Sequence, residues 1–508
     1  METGLDRRTF LARGAAVVGG GVLSAGAIER LVARDALATG GYHPHAEPYG
    51  PLRRMPDQRG VEVLALPAGF SYVTFGHIGT TMSDGNPTPL ALDGMGAFPG
   101  GHHHHHHHGR RDRLVRLVRN CEDRNLPGVG SLLGDPAAKY DAAAGGGTTT
   151  LVYHERRRRL VEDFVSLNGT TVNCAGGISY RGRYWLTGEE TVGGPDSASV
   201  DSRFPERHGY MFETPVDRGP GELETGVPIR AAGRFSHEAM AVDQHTGIVY
   251  ETEDPGSGVG AGFYRYIPED PDHLAAGGRL QMLAIAGQPQ VDLREGQRRG
   301  RWLPVAWVDI DDPDPELTAI DDPRGTFSQG YNDGGALFNR LEGCWEDDGT
   351  IFFVSTSGGD AKNGDVNADD YQEGFGQVWA YRPGYGDGWL SLVYESPSGA
   401  TMDSPDNLTV TPRGGLLVCE DDASTAFVDE HPLAPGITNV NRMIGLTRYG
   451  EAFELAVNVL NGSELAGCCF SPSGRTLFFN VYGYARFTEE PLEGMTCAVT
   501  GPWRRGPL

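Results

Sequence analysis

The segment DQHTGIVYETED, residues 243–254, contains a turn, a strand and a pair of acids in that order. Gly247 closes the turn, because glycine accepts the backbone angles that tight turns require. Residues 248–250 are isoleucine, valine and tyrosine, and such β-branched and aromatic residues favour strands. The strand then ends in the acidic pair Glu253 and Asp254. This short unit predicts one antiparallel hairpin with carboxylates at the end of its second strand.

The same order of turn and strand recurs three more times farther along the chain. The later turns contain Gly349, Gly414 and Gly474, and an apolar run follows each of them. Counted from Gly247, the four glycines are separated by 102, 65 and 60 residues. If the longest interval contains one further unit, the repeat is about 50–65 residues, close to a four-stranded propeller blade. We therefore predict an all-β fold, a single β-propeller of six or seven blades with loop insertions.

Composition restricts the partners of this chain. Hydrophobic residues make up 39% of its 508 residues, which is enough for a large core, and acids outnumber bases by 68 to 43. The formal charge of −25 repels nucleic acid and anionic lipid, so neither is expected as a main partner. Divalent cations suit such a chain. Beyond the N-terminal region no apolar run approaches the ~20 residues that span a bilayer, so we expect no membrane anchor in the mature protein.

The N-terminal region resembles an export signal. Residues 7–11 are Arg-Arg-Thr-Phe-Leu, and a mild stretch rich in glycine and alanine follows over 15–28. This pattern is typical of a twin-arginine translocation (Tat) signal. We predict a Tat signal peptide over 1–38, a linker over 39–60 and a β-propeller metallohydrolase domain over 61–508. The Tat translocase would then export the folded protein to the periplasm, the cell surface or the medium.

Two further features concern histidine and cysteine. The run His102–His108 is internal. A solvated loop is favoured over a metal store, because unordered histidines bind metal only loosely. The chain has 7 cysteines, and an odd number leaves at least one thiol outside intramolecular disulfides.

Acidic pairs end three strands at the same point of the repeat. They are Glu189-Glu190, Glu253-Asp254 and Glu420-Asp421. Equivalent positions in propeller blades converge on the central axis, so these carboxylates should crowd one small mouth. Like charges at close range raise one another's pKa or need cations between them, and oxygen ligands favour hard cations such as Ca²⁺.

Other candidates lie outside these pairs. Cys174 precedes a pair of glycines nearby and is either a buried small side chain or a thiolate ligand of a transition metal. Arg340 is either buried support or a clamp for phosphate, since a guanidinium donates two parallel hydrogen bonds. Four further acids lie in turns or beside glycine: Glu238, Glu342, Asp406 and Glu464.

Many short motifs in a fixed order resemble the exported PhoX-type alkaline phosphatases, over about residues 59–503. The motifs are Leu117–Asp123, Leu167–Gly177, Trp185–Thr191, Gly233–Ala239, Arg340–Cys344, Pro405–Asn407 and Thr500–Trp503. The resemblance implies a six-bladed propeller with iron and calcium ions in its central mouth. It also implies hydrolysis of phosphate monoesters, or of diesters, without a serine nucleophile.

The same resemblance implies roles for individual residues. Cys174 corresponds to the thiolate ligand of iron, and Arg340 to the phosphate clamp, with Asn120 and Glu122 near the substrate. The assignment of each acid to iron or to calcium is left open. The chain departs from the family pattern at Leu92, Cys121 and Gly188, which flank the site. The carboxylates that correspond to metal ligands are Glu189, Glu190, Glu238, Glu253, Asp254, Glu342 and Glu420.

Two other functions fit the same fold. A calcium-dependent lactonase or esterase would use the acids but would leave Cys174 and Arg340 without a role. A non-catalytic binding propeller on the cell surface would hold only structural calcium. The sequence contains neither a serine-hydrolase elbow nor a P-loop, so those chemistries lack support. We expect small phosphate esters as the partners of a monomer, because a closed propeller needs no second copy.

Overall fold

The computed structural model describes residues 48–100, 114–124, 134–197, 204–317, 324–364, 366, 369–384, 386–421, 432–434, 437–438, 441–485 and 490–508. The predicted signal peptide and the histidine run lie outside these residues. In the described part of the chain, no helix is long and apolar enough to cross a membrane.

Three strands precede the first complete blade, and two of them form a hairpin. The strands are β1 (Leu52–Pro56), β2 (Glu62–Pro67) and β3 (Ser71–Phe75). Strand β1 pairs with β2 in antiparallel register. It lies inside the segment 39–60 that the sequence predicted as a linker, so the folded body begins earlier than residue 61.

Blades 1 and 2 follow. Blade 1 contains β4 (Leu92–Pro99), β5 (Leu114–Cys121), β6 (Gly146–His154) and β7 (Arg159–Thr170). Blade 2 contains β8 (Asn173–Ile178), β9 (Tyr184–Glu189) and β10 (Met211–Pro215). In each blade the first strand is the innermost.

Blades 3 and 4 are joined into one sheet. Blade 3 contains β11 (His237–Val242), β12 (Val249–Glu253), β13 (Phe263–Pro268) and β14 (Gly278–Ile285). Strand β15 (Trp302–Asp309) pairs with β14 and with the outer strand of blade 4. Blade 4 contains β16 (Leu341–Asp347), β17 (Thr350–Ser355), β18 (Gln377–Arg382) and β19 (Trp389–Glu395), and is preceded by helix α1 (Gly325–Asn332).

Blades 5 and 6 complete the propeller with strands from both ends of the chain. Blade 5 contains β20 (Pro405–Val410), β21 (Leu416–Glu420), β24 (Arg442–Leu446) and β25 (Ala452–Asn458), extended by β2 and β1; the hairpin β22 (Pro432–Ala434) and β23 (Ile437–Thr438) lies between β21 and β24 in the chain. Blade 6 contains β26 (Leu465–Phe470), β27 (Thr476–Val481), β30 (Met495–Thr500) and β3, with the short pair β28 (Tyr484–Ala485) and β29 (Glu490–Pro491) between β27 and β30. The described residues also contain short 3₁₀ helices, four between strands and one after the last strand: Pro136–Ala138, Tyr180–Gly182, Arg230–Ala232, Leu274–Ala276 and Trp503–Arg505.

The ring closes where an early strand meets the last one. Strand β3 pairs with β30 from Ser71–Thr500 to Phe75–Thr496. The innermost strands β4, β8, β11, β16, β20 and β26 contact one another in sequence, and β26 returns to β4. The fold is therefore a single propeller, as predicted, and its topology has six blades.

Every innermost strand carries the same irregularity at the end where it begins, which we call the mouth. A register shift there marks an extra residue in the inner strand, a β-bulge that re-aims the next side chain. The pairs that precede or flank this shift are Leu92–Cys121, Asn173–Glu189, His237–Glu253, Leu341–Ser355, Pro405–Glu420 and Leu465–Val481.

Small residues next to the bulges let the inner strands approach one another. A Cβ atom at Gly343 of blade 4 would lie 2.4 Å from the carbonyl oxygen of Asp406 in blade 5. A Cβ at Gly94 of blade 1 would lie 2.5 Å from Cα of Ala175 in blade 2. No larger side chain fits at either position. Glycine there keeps the ring narrow, so acidic groups from different blades meet near the axis.

The hydrophobic core lies within and between the blades rather than on the axis. Trp185 and Trp379 are both fully buried. Truncation of such a side chain to alanine typically costs about 3–5 kcal/mol. This packing holds the inner strands in fixed positions while their mouth ends carry polar groups.

Candidate metal centre

The first group of site residues lies on the innermost strands. In blades 1 to 5 the residue just after the first mouth pair carries a carboxyl or thiol group, and all five side chains line one cavity. In blade order these residues are Asp93, Cys174, Glu238, Glu342 and Asp406. In blade 6 the equivalent residue is Ala466, which carries no ligand atom. Because the bulge is repeated, the sequence places these side chains at the same height around the axis.

The second group lies just past the second strand of each blade. Its backbone N–H donates in every blade to the carbonyl of the residue that precedes the inner strand, at 2.8–3.2 Å. The donors are Glu122, Glu190, Asp254, Thr356, Asp421 and Tyr482, and their acceptors are Ala91, Val172, Ser236, Arg340, Ser404 and Glu464. Arg340 and Glu464 are therefore equivalent positions in blades 4 and 6.

These groups form one chamber with an empty volume of about 280 Å³. Its lining has eight carboxyl groups, one thiol, one phenol and only two guanidinium groups. We call it the acidic chamber; it is lined by Asp93, Glu122, Arg124, Cys174, Glu190, Glu238, Arg340, Glu342, Asp406, Asp421, Glu464 and Tyr482.

Three overlapping triads within the chamber have the geometry of metal sites. Each triad offers ligand atoms that lie within 4.8 Å of one another. The triads share members, so ions bound in them would be neighbours. They are Asp93–Glu122–Cys174, Cys174–Glu190–Glu238 and Glu238–Glu342–Asp406.

The electrostatics of the chamber favour protons or cations between the carboxylates. Burial, and then the nearby Glu122 and Asp406, raise the pKa of Asp93 well above its usual value. Burial, followed by Asp406, raises the pKa of Glu238 well above its usual value. Burial also raises the pKa of Asp406 to about 7. Charged carboxylates this close, without cations, are costly.

Several chamber atoms have no hydrogen-bond donor in the part of the chain that the structure describes. They include both carboxylate oxygens of Glu238 and Oδ1 of Asp93. The Cys174 thiol donates to Oδ2 of Asp93 at 3.0 Å. Burial, and then Asp93, raise the pKa of this thiol well above its usual value. A metal ion would replace the shared proton and satisfy these oxygens, so the residues fit a metal centre.

Two arginines reach the chamber from opposite sides. Nε and Nη2 of Arg340 donate to Asp254 at 3.1 and 3.0 Å, and Nη2 also donates to Glu342. Arg124 donates to Glu122 and, at 3.2 Å, to Glu190. Burial acts to raise the pKa of Asp254, but the Arg340 guanidinium outweighs it and the pKa lies below its usual value.

Asn120 lies beneath the chamber and does not line it. Its side-chain amide donates to the carbonyls of Cys174 and Ala175 at 2.9 and 2.8 Å, and accepts from the Trp185 indole at 2.8 Å. The asparagine therefore fixes the backbone that carries the thiol. In this structure it supports the backbone of Cys174 and is not part of the chamber lining.

Three predicted metal carboxylates point away from the chamber. Glu189 forms a hydrogen bond with His208 at 2.6 Å, and Glu253 accepts a hydrogen bond from Arg324 at 3.0 Å. Glu420 bonds Arg442 at 2.6 Å. Successive residues of a strand face opposite sides, so the first acid of each pair points back into the blade when the second points to the axis. The structure does not bring these three into the triads, and the predicted Asp254 also lies outside them. It does bring in Glu122, Cys174, Glu190, Glu238 and Glu342, while Arg340 lies in the chamber lining.

The sequence-based site set omitted six residues that line the chamber. Asp406 and Glu464 had been noted as turn acids, and Asp421 as the second acid of a pair. The position within the repeat would have found all of them except Arg124, because each of the other five is equivalent to a residue that was chosen. The omitted residues are Asp93, Arg124, Asp406, Asp421, Glu464 and Tyr482.

Most of the chain is similar to a known protein family. The family model described as alkaline phosphatase PhoX matches residues 47–483. No curated protein sequence matches significantly. Among solved structures, Pseudomonas fluorescens PhoX in complex with vanadate, a transition state analogue, is similar, with 18% identity and a TM-score of 0.62 over 91% of this chain and 99% of that chain.

A more distant structural similarity extends to another enzyme. The gluconolactonase XC5397 from Xanthomonas campestris has 11% identity and a TM-score of 0.36, covering 91% of this chain and 100% of that chain. At 18% identity, the match with a TM-score of 0.62 supports the fold and no more. The match with a TM-score of 0.36 is too weak to support a conclusion about this chain.

Proposed function

This chain belongs to the PhoX family of alkaline phosphatases, which are phosphoric ester hydrolases, and we propose that it hydrolyses phosphate monoesters in the acidic chamber with iron and calcium ions. The observation that carries the proposal is the chamber lining, in which eight carboxyl groups and a thiol face only two guanidinium groups. Diesters are the second substrate class that the proposal admits.

The three triads are the proposed metal-binding residues. Cys174 belongs to two of them and is the soft donor that suits iron, whereas Glu238–Glu342–Asp406 offers only oxygen and suits calcium. Bound iron and calcium would supply Lewis-acid stabilisation of charge on the phosphoryl oxygens.

The two arginines are the proposed phosphate-binding residues. Their guanidinium groups are held by carboxylates at the chamber wall, which orients them before substrate arrives. A guanidinium forms short, charge-assisted bonds to phosphate oxygens. Arg340 and Arg124 would therefore hold a phosphoryl group between them. Their interaction with its oxygens would strengthen as negative charge develops on those oxygens in the transition state.

Tyr482 is the proposed hydrogen-bond donor at the chamber. Its hydroxyl donates to Glu122. Burial, and then the Glu122 carboxylate, raise the pKa of Tyr482 well above its usual value. The phenol thus keeps its proton in alkaline solution. Its single O–H can orient Glu122, or turn from Glu122 to donate to an oxygen of a bound ester.

Export completes the proposal. We infer that residues 1–38 direct the folded chain through the Tat translocase to the periplasm, the cell surface or the medium. Substrate esters would then come from outside the cytoplasm, and the mature chain would act as a monomer. Fusion of residues 1–38 to a reporter tests this, and replacement of Arg7-Arg8 by two lysines should abolish its export.

The test of function is metal analysis and turnover on one sample. Protein exported through its own signal should contain iron and calcium and should hydrolyse p-nitrophenyl phosphate. Arg340→Gln should weaken inhibition by free phosphate by about tenfold or more, the scale of one charge-assisted bond. Arg279→Gln, a matched change at an exposed strand residue, should leave inhibition unaltered. Turnover of a lactone but not of a phosphate ester would overturn the proposal.

A further inference from the structure

A second charged surface lies at the end of the propeller opposite the mouth. There the turn between β6 and β7, the turn between β26 and β27, the turn before β21 and the C-terminal 3₁₀ helix adjoin. They expose seven arginines, which we call the basic face: Arg156, Arg157, Arg159, Arg413, Arg475, Arg504 and Arg505.

Contacts between the turns show that the basic face is continuous. Glu155 accepts hydrogen bonds from Ser471 and Ser473 at 2.8 and 2.7 Å, which joins blade 1 to blade 6. The Trp503 indole donates to the carbonyl of Arg475 at 3.0 Å. Arg413 donates to the carbonyl of Arg504 at 3.3 Å, which adds blade 5.

The arginines of this face differ from other exposed arginines in their partners. Arg181 pairs with Asp272 at 3.0 Å, and Arg279 pairs with Asp309 at 3.8 Å. Within the residues that the structure describes, none of the seven forms an ion pair with an acid. Apart from Glu155, the connecting segments 156–159, 411–415, 471–475 and 503–505 contain no acid. The positive charge therefore remains available to a partner.

We propose that the basic face docks the protein on an anionic phospholipid surface. Clusters of four to eight arginines or lysines are typical of binding to anionic lipid, and guanidinium groups pair well with phosphate. The seven side chains are spread over the ends of three blades and not gathered in a groove. Such a layout suits a flat surface better than a threaded polymer. A molecule docked in this way keeps its acidic chamber open to solution.

The net charge of −25 does not prevent this contact. The two ends of the propeller are separated by inner strands such as β26, whose 6 residues span ~20 Å. At an ionic strength of about 0.1 M the Debye length is about 10 Å, so the chamber acids are screened from a surface at the opposite end. Local charge, not net charge, then governs binding.

The test is sedimentation with vesicles at about pH 8, where free histidines are mostly neutral and the histidine run adds little charge. Vesicles of phosphatidylcholine with 30% phosphatidylglycerol should bind the mature protein, and pure phosphatidylcholine should not. Raising the salt to about 0.5 M should release it. Equal binding to both vesicle types would overturn the proposal.

A matched pair of variants locates the surface. Each arginine near an anionic membrane contributes about fivefold to partitioning, so Arg156→Gln with Arg157→Gln should reduce it roughly 30-fold. Arg53→Gln with Arg54→Gln changes an adjacent exposed pair on β1, near the mouth end, and should reduce it little. An equal loss in both pairs, or none in the first, would contradict the assignment. Binding of soluble polyphosphate without binding of vesicles would instead assign the face to a free polyanion and overturn the membrane proposal.

Discussion

Cys174 differs from the other chamber residues because its sulfur prefers softer metal ions than carboxylates do. It also belongs to two of the three triads, so its loss should affect two ions at once. We expect Cys174→Ala to lose iron and its visible absorption, and to lower kcat at least about 100-fold, since a metal site acts as a unit. Metal analysis and the absorption spectrum measure this.

The matched control for that variant is Cys469→Ala. Cys469 is buried in the hydrophobic cluster with Met95 and Phe478, outside the chamber lining. The same substitution there should cost some stability but leave the iron content and the colour unchanged. If Cys174→Ala retained its iron, the thiolate role would be refuted.

His208 supports a prediction about pH. Burial acts to lower its pKa, but the Glu189 and Asp141 carboxylates together outweigh burial and raise it to about 9. A group whose folded pKa is raised stabilises the fold fully below its unfolded pKa of about 6.5, and this contribution is lost as the pH rises through about 9. The contribution of the charged histidine to the free energy of unfolding is at most about 3 kcal/mol.

Denaturant unfolding at about pH 6 and about pH 10 measures this contribution, with the same calcium concentration in both. The wild-type free energy of unfolding should fall between the two conditions by up to about 3 kcal/mol more than that of His208→Gln. Parallel pH profiles for the two proteins would show that the buried histidine is neutral throughout.

At the scale of the strand, the two acids of a pair have different positions, one inside the blade and one in the chamber. Glu420 bonds Arg442 inside blade 5, whereas Asp421 lines the chamber. Breaking a buried ion pair typically costs about 3–5 kcal/mol. We expect Glu420→Gln to lower the free energy of unfolding by that order and to keep the metal content. Asp421 lies in the chamber lining but in no triad, so its charge would act on the bound ions from nearby. Asp421→Asn should therefore weaken metal binding and change the stability of the metal-free protein little.

Unfolding curves of the chelated proteins and metal analysis of the loaded ones separate these effects. The same contrast should hold for Glu189→Gln against Glu190→Gln in blade 2, where Glu189 bonds His208. If both members of a pair behaved alike, the alternation would have no functional meaning.

The strand pattern was enough to predict a propeller, because turn glycines and β-branched runs repeat along the chain. The acidic pairs were also recognised, but residue-level reading did not decide which member faces the axis. That choice depends on which face of the second strand each acid occupies, and the pairing of that strand with the inner strand sets this, as between Asn173 and Glu189. Glu189 was therefore predicted as a ligand, whereas the structure directs it into blade 2.

The sequence concealed other features for a different reason. Asp93 lies on β4 and Tyr482 lies just past β27, far apart in the chain, and they line the same chamber because β3 closes the ring beside β30. Strand β15 joins blades 3 and 4 in one sheet, which no local repeat indicates. The basic face likewise comes from turns far apart in sequence, so whole-chain charge could not reveal it.

For the whole molecule, the chamber makes stability depend on bound cations. Among the residues that the structure describes, none donates a hydrogen bond to either oxygen of the buried Glu238, so its charge opposes folding unless an ion or a proton balances it. A chelator should therefore lower Tm, because ligands that bind only the folded state stabilise it by mass action.

Glu238→Gln should reverse the order of the variant and wild-type melting temperatures between the metal-free and the metal-loaded proteins. It should melt above the wild type when both are metal-free, since a neutral amide replaces an unpaired carboxylate, and below it when both are loaded with calcium and iron. Thermal unfolding of the two proteins with and without chelator tests this, and Glu155→Gln on the opposite end is the control that should show no crossover. If Glu238→Gln melted below the wild type in both states, the carboxylate would serve the fold directly, and the chamber would not be held together by its ions.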